Sequence, residues 1–219
     1  MMQTRQRSIF TVGFGLMLTI SLIGQSLGSP SPLHDAARAG EYDSVQSLLD
    51  SGADIDEPEE TGHTPLHWAT YNGHLDVVSL LLRYGANPDA KLAVGWTPLF
   101  LAAIHGYSDI ASALVDSGAS VSISDRMGYQ PIHRAAKNGH AAIIPILING
   151  GASVNVQDRK GYTALHHAAE NGHADVVAIL LDLGANPEIK TRRDKKALDL
   201  AIAADHLDVV DLLENYPSE

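Results

Sequence analysis

Eleven histidines in 219 residues are enough to build a metal centre or a proton relay. Imidazole ligates zinc and titrates near neutrality, so their spacing decides what they can do. His34, His67, His133 and His166 sit in one recurring setting; His74, His140 and His173 each follow a glycine, and His206 matches them in spacing. Only His63, His105 and His167 fall outside both sets. A metal site needs ligands that converge, and neighbours such as His166 and His167 point about 100° apart on a helix. There is no cysteine, so thiolate ligands, a thiol nucleophile and disulfides are all excluded. Neither a Gly-x-Ser-x-Gly elbow, a phosphate-cradling glycine loop nor an HExxH helix is present. The acidic residues fall in loops and on helix faces where solvated charge is the ordinary state. The expectation is therefore a protein without metal or cofactor, and not an enzyme.

The elements that would position these residues follow a strict period. Gly62, Gly95, Gly128 and Gly161 are 33 residues apart. Each opens a similar stretch: Gly62-His63-Thr64-Pro65-Leu66-His67, then Gly95 to Phe100, Gly128 to His133 and Gly161 to His166. One step back lies Pro32-Leu33-His34, and one step forward Ala197-Leu198-Asp199, so six units tile residues 29–216. Within a unit, Thr64-Pro65 supplies an N-cap hydroxyl and a first-turn proline. Gly73 stops the short first helix, and Leu75, Val77, Val78, Leu81 and Leu82 give the spacing of a second, amphipathic one. Gly85 ends that helix, and Asn87-Pro88-Asp89 turn the chain outward. Aromatics make up only 5% of the chain, so the core must come from Ala, Leu, Ile and Val, which favours close helix packing. One such pair cannot bury its own apolar face; stacking must supply the core.

Period, opening tetrapeptide, both glycines and the Asn138-Gly139-His140 and Asn171-Gly172-His173 motifs together resemble the ankyrin repeat. The resemblance implies an all-α fold, an ankyrin-repeat solenoid of stacked helix pairs with hairpin fingers and a concave face. It implies a division into 29–61, 62–94, 95–127, 128–160, 161–193 and a C-terminal cap at 194–216, with a tail at 217–219. It also implies that the eight periodic histidines bond neighbouring backbone and hydroxyl groups, leaving His63, His105 and His167 for surface work. Three departures stand out. Phe100 replaces the opening histidine, Pro145 near the start of a second helix predicts a mild bend, and Asp205 replaces a helix-stop glycine. The acidic Asp208, Asp211 and Glu214 suit a capping repeat.

Residues 1–28 read as a secretory signal peptide: Arg5 and Arg7, an uncharged apolar stretch from Ile9 to Ile23, then Ser26-Leu27-Gly28. Fifteen residues fall short of the roughly 20 a spanning helix needs, so cleavage is expected over retention as an anchor. Cleavage would leave 13 basic against 26 acidic residues, and this acidity opposes wrapping nucleic acid or lying on an anionic membrane. The expected location is periplasmic or secreted.

Function then lies in binding. The resemblance places partner contacts at finger tips and on the exposed side of the first helices. Residue by residue these are His63, Trp68, Tyr71, Trp96, Ile104, His105, Arg126, Tyr129, Lys137, Arg159, Lys160, Tyr162, Arg192 and Arg193. Trp96, Tyr129 and Tyr162 recur at the 33-residue period. Two uses stand open for them: anchors for a partner, or finger-to-finger packing. Charge is ordered as well. Asp54, Asp56, Glu57, Glu59 and Glu60 make the first finger acidic, and ten of the 13 basic residues beyond residue 28 lie between Arg126 and Lys196. That strip points to a protein partner with an acidic patch, although solubility alone would also account for it. The expectation is a monomeric, exported scaffold that inhibits or protects its partner, with an envelope assembly factor as the alternative and a hydrolase a distant third.

Overall fold

Thr64 starts a helix for two local reasons. Its backbone is extended, and its hydroxyl and amide both meet the Nδ1 of His67, at 2.9 and 3.2 Å, while Pro65 supplies the first helical φ. Thr163 with His166 and Gln130 with His133 repeat the arrangement. In the computed structural model, which describes residues 31–216, the first helices of six successive pairs are α1 (Pro32–Ala39), α3 (Pro65–Tyr71), α5 (Pro98–His105), α7 (Pro131–Lys137), α9 (Ala164–Glu170) and α11 (Ala197–Ala203). The second helices are α2 (Tyr42–Asp50), α4 (Leu75–Arg83), α6 (Ser108–Asp116), α8 (Ile143–Asn149), α10 (Ala174–Asp182) and α12 (Leu207–Glu214). The leader expected at 1–28 and the tail at 217–219 lie outside the described residues. Among the described residues there are no strands, and no helix is long and apolar enough to cross a membrane.

Each helix has only seven to nine residues, too few to hold by itself. Stability comes from two parallel rows, first helices against first helices and second against second. The first row can close up because one position is alanine throughout: Ala36, Ala69, Ala102, Ala135, Ala168 and Ala201, all buried. Leu33, Leu66, Leu99, Ile132 and Leu165 fill the space between the rows. A larger side chain at the alanine position would overpack this seam at a cost of about 1–3 kcal/mol.

The turn inside each pair explains its glycine. Gly106 adopts φ 81°, and a Cβ there would lie 2.7 Å from the His140 ring of the next pair. The packed ring also binds: His140 Nε2 donates to the Ile104 carbonyl at 2.9 Å, as His173 does to Lys137 and His74 to Arg38. Asp205 takes the left-handed conformation itself, with φ 60°, which Asp tolerates better than most residues.

Pro145 leaves a visible mark: α8 begins two residues later than the period predicts. Proline cannot donate to the Ala141 carbonyl, so Ile144 N donates to it instead, at 3.3 Å, and the first turn is wound more tightly. The last pair, whose acidic residues suit a cap, also carries an exposed apolar side chain on its outer side. Ile202, 56% exposed, stands where Ala37, Thr70, Ala103, Ala136 and Ala169 are buried against a following pair.

Candidate partner-binding face

Between pairs the chain makes a finger closed at its base by two backbone bonds. Asp158 N donates to the Tyr162 carbonyl at 2.8 Å, and Gly161 N to the Asp158 carbonyl at 3.0 Å. The same pattern closes 59–63, 92–96, 125–129 and 191–195. Each turn pushes two residues outward, and these are the tips: Glu60 and Thr61, Ala93 and Val94, Arg126 and Met127, Arg159 and Lys160, Arg192 and Arg193, all exposed. The structure thus places Arg126, Arg159, Lys160, Arg192 and Arg193 where the sequence puts them.

The finger's first residue locks it from inside. Asp158 Oδ1 accepts the Lys160 and Tyr162 amides at 2.7 and 3.0 Å, and Oδ2 accepts His167 Nε2–H at 3.2 Å. Asp125 does the same for the Met127 and Tyr129 amides, with Arg134 donating to Oδ2 at 3.0 Å. Thr191 serves the last finger with its hydroxyl. Glu59, one methylene longer, instead accepts from the Thr61 hydroxyl and from Trp68 Nε1 at 3.0 Å. In every case the helix partner lies nine residues after the acid: 59 with 68, 125 with 134, 158 with 167.

These partners join the finger aromatics into a ladder of rings and cations. Arg134 lies over Tyr129, 4.2 Å from its centroid, with Trp96 and Phe100 at 5.8 and 5.5 Å. His167 is held between Tyr129 at 5.0 Å and Tyr162 at 5.1 Å. Tyr129 is 9% exposed, whereas Trp96 and Tyr162 are half-buried. These rings therefore pack finger against helix; Tyr129 is buried there, and only Trp96 and Tyr162 keep part of their surface exposed. Burial pushes the Tyr129 and Tyr162 hydroxyls up. Burial would also raise the Asp158 carboxyl, but hydrogen bonds from His167 and the Tyr162 and Lys160 amides outweigh it and hold it below the usual range. His133, beside His167, is lowered to about 4, chiefly by burial.

Near the N-terminal end the ladder opens into a surface cluster. Trp68 carries Arg38 on its ring at 3.9 Å and His63 stacked at 4.5 Å. Tyr71 meets Trp68 edge-on at 5.9 Å and His105 at 4.9 Å, and His105 stacks on Tyr107. Tyr71 is 45% exposed and His105 is exposed, while His63 and Trp68 are half-buried. Burial lowers both His63 and His105, Glu59 opposing it for His63. Ile104 and Lys137 are half-buried, and their carbonyls accept from the histidines of following pairs.

His167 is not free for surface work, as the sequence suggested; it is 3% exposed, with both faces covered by tyrosines. Aspartate bonded to imidazole is the pairing that orients a catalytic base, but here no substrate atom can reach the ring. Sequence reasoning missed the two pairs that fix the fingers, Asp125 with Arg134 and Asp158 with His167. The signal was the acid opening the third and fourth fingers, followed nine residues later by Arg or His.

The remaining question is which known proteins share this arrangement. A family model described as ankyrin repeats (3 copies) matches residues 33–125, 84–158 and 132–218. The chain belongs to the ankyrin-repeat family. Solved structures agree. An ankyrin repeat domain (ABAYE2397) from Acinetobacter baumannii AYE is 30% identical, with 84% of this chain and 96% of that one covered and a TM-score of 0.77. The human ASB11 ankyrin repeat domain is 28% identical over 87% of this chain and 85% of its own, with a TM-score of 0.79. EF0377, an ankyrin repeat protein, is 25% identical over 85% and 98%, also with a TM-score of 0.79. Among curated proteins, none matches this chain in sequence. Ankyrin-repeat chains are in general protein-interaction modules and not enzymes, so a protein partner is the role its fold fits.

Proposed function

We propose that this chain is an exported binding scaffold of six ankyrin repeats. It holds a protein partner with an acidic patch against its finger tips and concave face, and inhibits or protects that partner. One observation carries the reading. Arg126, Arg159, Lys160, Arg192, Arg193 and Lys195 form no ion pair among the described residues, yet stand on three adjacent fingers locked in register. The lock is backbone: Arg159 N donates to the Met127 carbonyl at 3.2 Å, and Arg192 N to the Lys160 carbonyl at 3.0 Å. Cations held unpaired on a rigid rim suit electrostatic capture of an acidic surface. The export reading rests on residues 1–28, and the partner class on charge alone. Both ends of the stack are acidic, with Asp35, Glu41 and Asp43 at one and Asp205, Asp208, Asp211 and Glu214 at the other. Head-to-tail association would oppose like charges, which supports a monomer. Affinity capture from the exported fraction, with the native fingers and with Arg126, Arg159 and Arg192 all changed to Glu, tests the reading. One stoichiometric partner lost on charge reversal supports it; identical capture by both would sink it.

A further inference from the structure

We infer that the preferred ligand of the basic fingers is an extended, proline-rich segment bearing an acidic side chain at every third residue. The inference rests on the proposed role of the fingers and adds the geometry of what they hold. Stacked helix pairs recur at about 8–10 Å, because that is the distance at which helices with small contact residues pack. The fingers are tied to this period by the Met127–Arg159 and Lys160–Arg192 backbone bonds. Cations of adjacent tips therefore form a ruler with one mark per repeat. A polyproline II helix has three residues per turn and about 3.1 Å rise, so every third side chain returns to one face after about 9.3 Å. Its acidic residues would meet one tip each.

The surface beneath also favours this conformer. An α-helix docks by laying an apolar face into an apolar groove, and the floor here is the ring-and-cation ladder instead. Polyproline segments dock on aromatic residues, and the half-buried rings of Trp96 and Tyr162 lie at the bases of the second and fourth fingers, with Lys195 at the same place in the fifth. Polarity follows as well. The second finger ends in Ala93 and exposed Val94, and the first is acidic, with exposed Asp54 and Glu60. The acidic run must therefore stop after the third finger's Arg126, and an apolar residue should follow it over Val94.

The test uses a fluorescein-labelled (Pro-Pro-Glu)4 peptide and an isomer of identical composition with its four glutamates contiguous, titrated into the protein at low salt. The spaced peptide should bind about tenfold tighter, and that advantage should vanish when Arg126, Arg159 and Arg192 are all changed to Glu. Circular dichroism controls for folding of the triple variant. Equal or tighter binding of the contiguous isomer, or of a helical peptide with glutamates seven residues apart, would overturn the register while leaving the acidic-partner reading standing. Binding of neither would overturn both.

Discussion

Asp158 and His167 lie nine residues apart in sequence and 3.2 Å apart in space, and their bond ties a finger to the helix that follows it. The same carboxylate also holds the Lys160 and Tyr162 amides. A single buried side chain thus sets both the shape of a tip and its angle to the concave floor.

Asp158→Ala should therefore destabilise the protein by about 2–3 kcal/mol, because three donors, one of them the buried His167, lose a charged acceptor. Asp158→Asn, which can keep an oxygen toward the two amides, should cost less. Asp182→Ala, on an exposed helix face, should stay within about 0.5 kcal/mol. Denaturant unfolding of the three variants checks the order; equal midpoints would mean the finger bonds contribute nothing.

Acid should weaken the fold in a defined window. His67 and His133 are lowered to about 4, in each case first by burial, so both are neutral in the folded state at neutral pH. The unfolded chain takes up these protons from about pH 6.5 downward, so stability is full above that value and falls as pH drops toward 4. The loss is on the order of 3 kcal/mol for each residue once pH is below the folded value. Phe100 occupies the same position in the third pair without a titrating ring. His133→Phe should accordingly flatten the pH dependence of the melting temperature between 6.5 and 4. An unchanged slope would show that this histidine is not the source.

Glycines at the two turns should differ in tolerance. Gly118 has φ 88° with nothing within 4 Å of a built Cβ, so Gly118→Ala should cost only the left-handed strain, about 1–2 kcal/mol. Gly106→Val adds a β-branch against the His140 ring at 2.7 Å and should cost clearly more. Thermal unfolding separates them, and equal losses would mean the histidine ring yields freely.

Periodic signals were legible in the sequence because each is written by local chemistry. Thr64-Pro65, Gly73 and the leucines after it mark a cap, a stop and an amphipathic face whatever the partner pair contains. The finger tips were legible for the same reason, since the turn residues precede them at a fixed distance. The ladder was not. Arg134 and His167 read as ordinary residues until the fold brings Asp125 and Asp158 beneath them, and Tyr129 reads equally as anchor or as finger packing until Arg134 and His167 meet its ring. The late start of α8 was not legible either. Pro145 removes one donor, and the turn before it tightens to reuse the freed carbonyl.

Tyr71 offers a separate test of the concave face. It is exposed, joined only to Trp68 and His105 by ring edges, so Tyr71→Ala should leave the melting temperature nearly unchanged. Loss of an aromatic anchor raises the dissociation rate more than it alters association. Surface plasmon resonance with the captured partner should show that pattern; an unaffected dissociation rate would remove Tyr71 from the interface.

The most direct measurement is the association rate of that partner with the native protein and with the Arg126→Glu, Arg159→Glu, Arg192→Glu variant, across ionic strength. Exposed cations far from the stacked core should steer encounter without holding the fold, and salt should screen them. The account predicts association slower by about tenfold or more for the variant at low salt, converging with the native rate at high salt, with unchanged circular dichroism. Equal rates at every salt concentration would contradict it and place the binding face away from the fingers.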